Sequence, residues 1–175
     1  MAGLYLHIPF CKQACYYCDF HFSVNTSIKT ELVKAIIREL ELQADYLNKQ
    51  PLETIYFGGG TPSLLTDDEL NAILNTIYKI YPIAPSPEIT LEANPDDLSL
   101  KKLTALAQAG VNRLSIGVQS FNSDLLKFLN RAHNATEAVQ CIESAHRVGI
   151  HNMSIDIMFG LPGQHKAGLQ KDLAT

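Results

Sequence analysis

Three of the four cysteines lie within eight residues, in His7-Ile-Pro-Phe-Cys11-Lys-Gln-Ala-Cys15-Tyr-Tyr-Cys18-Asp-Phe20, at C-x3-C-x2-C spacing. Three thiolates on one tight loop can converge on a single soft metal centre. A cubane iron–sulfur cluster ordinarily takes four cysteines, one on each iron. Three leave one iron open, able to bind and activate a small molecule. Other readings compete. A disulfide accounts for only two of three thiols. The first residues also lack the basic, apolar and small-residue regions of a secretory signal, so a cytoplasmic location is expected, where clustered thiols serve metals or catalysis. A zinc site with His7 or His21 as fourth ligand would normally pair two separated C-x2-C or H-x3-H units, and only one such unit is present. Three unrelated buried cysteines do not account for so short a spacing. Cys141, alone far down the chain, reads as a small core residue.

Further candidates lie beyond the cysteine loop. In Gly58-Gly59-Gly60-Thr61-Pro62, three glycines let the backbone approach a ligand and expose its N–H and C=O groups. The run matches neither a dinucleotide fingerprint nor a Walker loop, because no Lys-Ser/Thr pair follows, and a tight turn is the alternative. Glu92 and Asp156 are carboxylates in apolar strands, a costly placement unless paired or hydrogen-bonded. They either form structural ion pairs, with Arg113 as a candidate partner, or grip the amine or hydroxyls of a polar ligand. Arg131 has the planar fork that suits a carboxylate, or is a solvated surface arginine. His133, His146, His151 and His165 show no ligand spacing and read as surface or core residues.

These residues need elements to position them, and 175 residues with 46% apolar and 18% charged composition suffice for one well-cored domain. A net charge of −4 without a Lys/Arg cluster argues against a nucleic acid held by its phosphates and against a basic lipid anchor. No apolar run approaches the ~20 residues that span a bilayer. Strand patterns fall at 3–8, 54–57, 88–92, 113–118 and 153–157. Helical spacing falls at 27–48 (Ile28, Leu32, Ile36, Leu40, Leu47), after a Thr66/Glu69 capping box, at 99–109, at 123–129, after an Asn134/Glu137 cap, and from 166 onward. Pro82, Pro85 and Pro87 read as a turn-rich linker. Strand–helix alternation repeated five times predicts an α/β fold with a parallel sheet of right-handed βαβ units. The cysteines, the glycine run, Glu92, Gln119 and Gly160 fall at or just after strand C-termini, with Asp156 inside the last strand. Contributions from all five strands favour a curved, barrel-like sheet over an open one with a single crevice.

The cysteine loop, Gly58-Gly-Gly-Thr-Pro-Ser63, Glu92-Ala-Asn-Pro95, Arg113-Leu-Ser-Ile-Gly-Val-Gln-Ser-Phe121 and Asp156-Ile-Met-Phe-Gly-Leu-Pro-Gly-Gln164 together resemble the radical S-adenosylmethionine (radical SAM) proteins of the HemN/HemW group, over nearly the whole chain. The resemblance implies an incomplete (β/α) barrel open on one side. It implies a [4Fe-4S] cluster on Cys11, Cys15 and Cys18, with S-adenosyl-L-methionine (SAM) on the fourth iron through its amine and carboxylate. One electron from the reduced cluster then cleaves the sulfonium to methionine and a 5′-deoxyadenosyl radical. By position, the implied SAM contacts are Tyr5, Tyr17, Gly59, Gly60, Thr61, Glu92, Gln119, Arg131 and Asp156, which favours the carboxylate role for Arg131 and makes a zinc module remote.

Two functions occur in the resembled group. One is oxygen-independent coproporphyrinogen III oxidase, which decarboxylates propionates in porphyrin biosynthesis. The other is the haem chaperone HemW, which delivers haem to respiratory enzymes. The oxidases resemble C-x3-C-x2-C-x-C, and Phe20 occupies the position of the further cysteine, which is the HemW-like pattern. Implied partners are haem or coproporphyrinogen III and a reductant such as flavodoxin or ferredoxin. No nucleic acid is implied, and membrane contact at most through respiratory clients. Members of the group are longer, so residues 1–175 are expected to be the N-terminal part of a radical SAM core. That part would keep the cluster loop and most SAM contacts, without the tetrapyrrole site. An exposed fifth-strand edge is expected to favour dimerisation or aggregation.

Overall fold

The computed structural model describes residues 2–175. β1 (Ala2–Ile8), β2 (Leu52–Gly59), β3 (Ile83–Ala93), β4 (Arg113–Gln119) and β5 (Asn152–Ile157) form one parallel sheet in the order β1-β2-β3-β4-β5. The crossovers run through α1 (Lys29–Leu42), α2 (Asp67–Ile80), α3 (Leu100–Gln108), then α4 (Ser123–Phe128) with α5 (Ala135–Arg147); α6 (Lys166–Ala174) follows β5. Every crossover steps to the next strand in one direction, and a common hand then puts the crossover helices on one face. The helix layer agrees: α1 packs on α2, α2 on α3 and α3 on α5. The strand order never reverses, so there is no crevice of the doubly wound kind, and the sheet is the wall of an incomplete barrel.

Strand alternation separates two chemistries. Leu6, Ile8, Ile55, Phe57, Leu91, Leu114 and Ile116 point under the helices and are buried with Ile73, Ile77, Leu103, Leu106 and Ala145 in one core. Parallel strands covered on both faces are usually apolar throughout. Here the intervening positions are Tyr5, His7, Tyr56, Thr90, Glu92, Arg113, Ser115, Ser154 and Asp156, so the face away from the helices is polar. It is knitted across strands by Tyr56 Oη donating to Glu92 Oε1 (2.7 Å), Arg113 Nη1 to Thr90 Oγ1 (3.4 Å) and Ser154 Oγ to Ser115 Oγ (3.3 Å).

Both capping boxes form, Thr66 with Glu69 and Asn134 with Glu137, and Ser99 caps α3. Two boundaries differ from expectation. Helix α1 ends at Leu42 rather than at 48, and bonds from Tyr46 N to Gln43 O, Asn48 N to Asp45 O and Gln50 N to Leu47 O replace further helical turns. Asn48 (φ 48°) and Lys49 (φ 61°) are left-handed there. These tight turns still bring Leu47 against the core, which is why helical spacing extended through it. The proline linker is the first half of β3. Pairing with β2 breaks between Leu52↔Ile83 and Thr54↔Glu88, and pairing with β4 starts only at Thr90↔Arg113, so Pro85 and Pro87 sit where ladder donors are not needed. Among the described residues no helix is long and apolar enough to cross a membrane.

Candidate metal and cofactor site

The cysteine loop leaves β1 at Pro9 and is closed at its base by Cys11 N donating to Ser23 O (3.0 Å) and Ser23 N to Pro9 O (2.8 Å). Phe10, 1% exposed, anchors it in the core. Its outer part is tied to two other strand ends. Lys12 Nζ reaches Asp96 (2.7 Å) and Asp97 beyond β3. Beyond β4, Tyr16 N donates to Leu129 O (3.2 Å) and Asn130 Nδ2 to Ala14 O (2.7 Å). Asn130, at φ 56°, takes the left-handed turn that aims its amide at the loop.

Cys11, Cys15 and Cys18 are unpaired and line one cavity of about 180 Å³ at the C-terminal ends of the strands. Of the nine positions expected to contact SAM, eight line the same cavity: Tyr17, Gly59, Gly60, Thr61, Glu92, Gln119, Arg131 and Asp156. Tyr5 does not. It is 57% exposed, bonds His7 Nδ1 (3.0 Å) and stacks on Tyr56 at 5.9 Å, one side chain removed from Glu92. Tyr5 and His7 line a larger cavity, about 710 Å³, between β1 and α1; it contains no cysteine and is walled mainly by aliphatic and aromatic groups. The smaller cavity therefore gathers the three cysteines and eight of the nine expected contacts.

Each glycine of the triple run clears a different contact. A Cβ on Gly58 would meet the Tyr5 and Tyr56 rings at 2.8 and 2.9 Å, and one on Gly60 would meet Phe10 O at 2.8 Å and Cys11 Sγ at 3.1 Å. Gly59 is at φ 117° and its N–H donates to Glu92 Oε2 (3.0 Å). The run thus lets β2 lie against the cysteine loop. Glu92 takes its bonds from Tyr56 and Gly59, while Arg113 faces Glu88 at 3.8 Å; the ion-pair alternative for Glu92 is replaced by hydrogen bonds. Asp156 is exposed in this chain, and its carboxylate makes no hydrogen bond among the described residues. Gln119 is buried at φ 70°, where the β4–β5 register slips between Ile116 and Gln119. A non-glycine residue held there is strained, and the strain turns its side chain toward the cavity.

Hydrogen-bond donors address two sulfurs. Thr61, 2% exposed, donates to Cys11 Sγ (3.4 Å), and Arg131 Nη1 donates to Cys15 Sγ (3.3 Å) and Tyr17 Oη (3.4 Å). Burial pushes the Cys11 thiol above its ordinary value; the Thr61 bond opposes this, and Cys18 and Cys15 add to it. Crowded thiolates of this kind are relieved by a cation, whose binding displaces the protons. Burial pushes Tyr17 up to about 12 despite Arg131, and burial then Glu92 push Tyr56 up to about 12, so both remain hydroxyl donors. Burial, then Arg131, lowers His133, whose neutral ring meets Val118 O at 3.0 Å; it is a core histidine.

Three free thiols on one cavity are a donor set that suits an iron–sulfur cluster. A cubane takes its thiolates at separate corners. Arg131 lines the cavity, and its Nε is buried without a hydrogen-bond partner. The sequence suggests no separate role for Asn94, Lys12, Asp96 or Asn130. Asn94 stands before Pro95 and reads as a turn residue, and the other three act only through contacts distant in sequence.

Fold and cavity together define a parallel βα-barrel wall carrying a three-thiol site at its C-terminal face. Residues 5–174 match the family model of the Radical SAM superfamily, and the chain belongs to that superfamily. Its members use a [4Fe-4S] cluster and S-adenosylmethionine. The heme chaperone HemW of Bacillus subtilis (strain 168) is 40% identical over 177 residues, covering 100% of this chain and 47% of that protein. Anaerobilin synthase of Escherichia coli O157:H7 is 38% identical over 98% of this chain and 39% of its own length. The structure of coproporphyrinogen III oxidase (HemN) from Escherichia coli matches with TM-score 0.91 at 28% identity, over 98% of this chain and 40% of that one. The chain spans about half the length, or less, of the relatives it matches.

Proposed function

We propose that residues 1–175 are the N-terminal part of a radical SAM core in which Cys11, Cys15 and Cys18 hold the cluster and the cavity beside them receives SAM. The observation that carries this reading is the convergence of three free thiols and eight of nine expected contacts on one cavity. When bound, cluster and SAM supply reductive cleavage of the sulfonium carbon–sulfur bond, and a reductant supplies the electron. The chain's own residues bind and orient. Glu92, held as an acceptor by Tyr56 and Gly59, and Asp156, unpaired at the edge, suit an amine and ribose hydroxyls. Arg131 lines the cavity and brings to it a guanidinium of the kind that suits a carboxylate. Gly59 and Gly60 keep the floor bare of side chains, and Tyr17 remains protonated at the rim.

For the whole protein we favour a haem chaperone of the HemW kind, acting in the cytoplasm and meeting membranes through respiratory clients. The 40% identity to a HemW and Phe20 at the position of a further cysteine support it. The oxidase is the second reading, favoured by the TM-score of 0.91 to HemN. The test uses the longer protein that this reading implies, reconstituted anaerobically and offered SAM, reductant and either haem or coproporphyrinogen III, with mass spectrometry of the tetrapyrrole. Haem retained unchanged and coproporphyrinogen III untouched supports the chaperone. Loss of two carboxyl groups as carbon dioxide establishes the oxidase instead.

A further inference from the structure

Asn94 stands between the two donors that address cysteine sulfurs. Its Oδ1 accepts from Arg131 Nη2 (2.6 Å), and its Nδ2 donates to Thr61 Oγ1 (3.2 Å). The amide orientation is fixed by chemistry, because a guanidinium only donates, so the oxygen must face it. Thr61 has a single hydroxyl proton. Accepting from Asn94 leaves that proton free for Cys11 Sγ, 3.4 Å away. Arg131 Nη2 also donates to Gly117 O (2.6 Å), so two acceptors hold the guanidinium while Nη1 donates to Cys15 Sγ (3.3 Å). Gly117 clears the place, since a Cβ there would lie 3.3 Å from Arg131 Nη2. One amide thus links Cys11 to Cys15 through Thr61 and Arg131, although it touches neither sulfur.

We infer that Asn94 is a positioning residue that tunes the reduction potential of the cluster by keeping Thr61 and Arg131 aimed at the sulfurs of Cys11 and Cys15. The inference rests on the reading of these cysteines as cluster ligands. A donor to a ligating sulfur stabilises the more negative, reduced cluster over the oxidised one and raises its potential. Removing the amide frees both donors at once, and the potential falls.

The test is a dithionite titration followed by electron paramagnetic resonance, on anaerobically reconstituted protein without SAM. Wild type is compared with Asn94→Ala, Thr61→Val, Thr61→Ser and the Thr61→Val/Asn94→Ala double variant, at matched iron and sulfide content. The expected result is a shift to lower potential in Asn94→Ala, a smaller shift in Thr61→Val and none in Thr61→Ser. The double variant should go no lower than Asn94→Ala, because the valine removes a donor that the alanine has already released. Wild-type potential in Asn94→Ala, or strictly additive shifts in the double variant, overturns the inference. Should Asn94→Ala fail to assemble a cluster, the threonine pair decides, and equal potentials in Thr61→Val and Thr61→Ser overturn it. A wild type that takes up no iron and gives no cluster signal overturns the ligand reading instead, which separates the two failures.

Discussion

Cys11 and Cys141 show how the same side chain is put to different uses by its surroundings. Cys141 is 3% exposed on α5 among core residues, and burial pushes its thiol up to about 12 from 9.0. A raised thiol value means that the unfolded chain deprotonates first as pH rises. The stability contributed by Cys141 is therefore complete below about 9 and is lost progressively toward 12. Chemical denaturation of the metal-free protein at stepped pH should show this loss, and Cys141→Ala should make it smaller, the part that remains coming from Cys11, Tyr17 and Tyr56, whose values are raised as well. Cys11 lies instead in the cavity wall with a donor on its sulfur, and Cys11→Ala should abolish most cluster uptake while leaving far-ultraviolet circular dichroism unchanged. At this scale spacing alone disclosed the three thiols. Asn94 and Thr61 escaped notice as supports because a hydrogen-bond relay between strand ends leaves no periodic trace in sequence.

Elements were legible where local chemistry decides them. Thr66 and Asn134 form the capping boxes their spacing foretold, and Asn134→Ala should cost about 1 kcal/mol in denaturant unfolding. Ile73 is fully buried on α2, and Ile73→Ala should cost roughly 2–5 kcal/mol through the cavity it leaves. Gly168 lies inside α6 with open space where a Cβ would stand, so Gly168→Ala should stabilise by about 0.5–1 kcal/mol. Gly60→Ala should behave oppositely, because its Cβ would collide with the Phe10 backbone, and cluster uptake should fall with stability. The end of α1 and the start of β3 depart from the local pattern for tertiary reasons. Consecutive tight turns imitated helical spacing up to Leu47, and a bulge admitted prolines into a strand.

For the whole molecule, one-directional strand order is the property that matters. It places every crossover helix on one face and frees the other for polar side chains. Alternation of apolar and polar residues implied this only weakly, since a buried ligand face and a solvated face look alike in sequence. The chain-order topology also leaves β1 and β5 as the two edges of the sheet. The proposed function itself requires an open-sited cluster held by three cysteines beside a SAM cavity. Its most direct test is the electron paramagnetic resonance spectrum of the reduced, reconstituted protein before and after SAM is added. The expected result is the signal of a reduced four-iron cluster that changes shape when SAM binds. A cluster signal indifferent to SAM, or tightly bound zinc with no cluster signal, would contradict it.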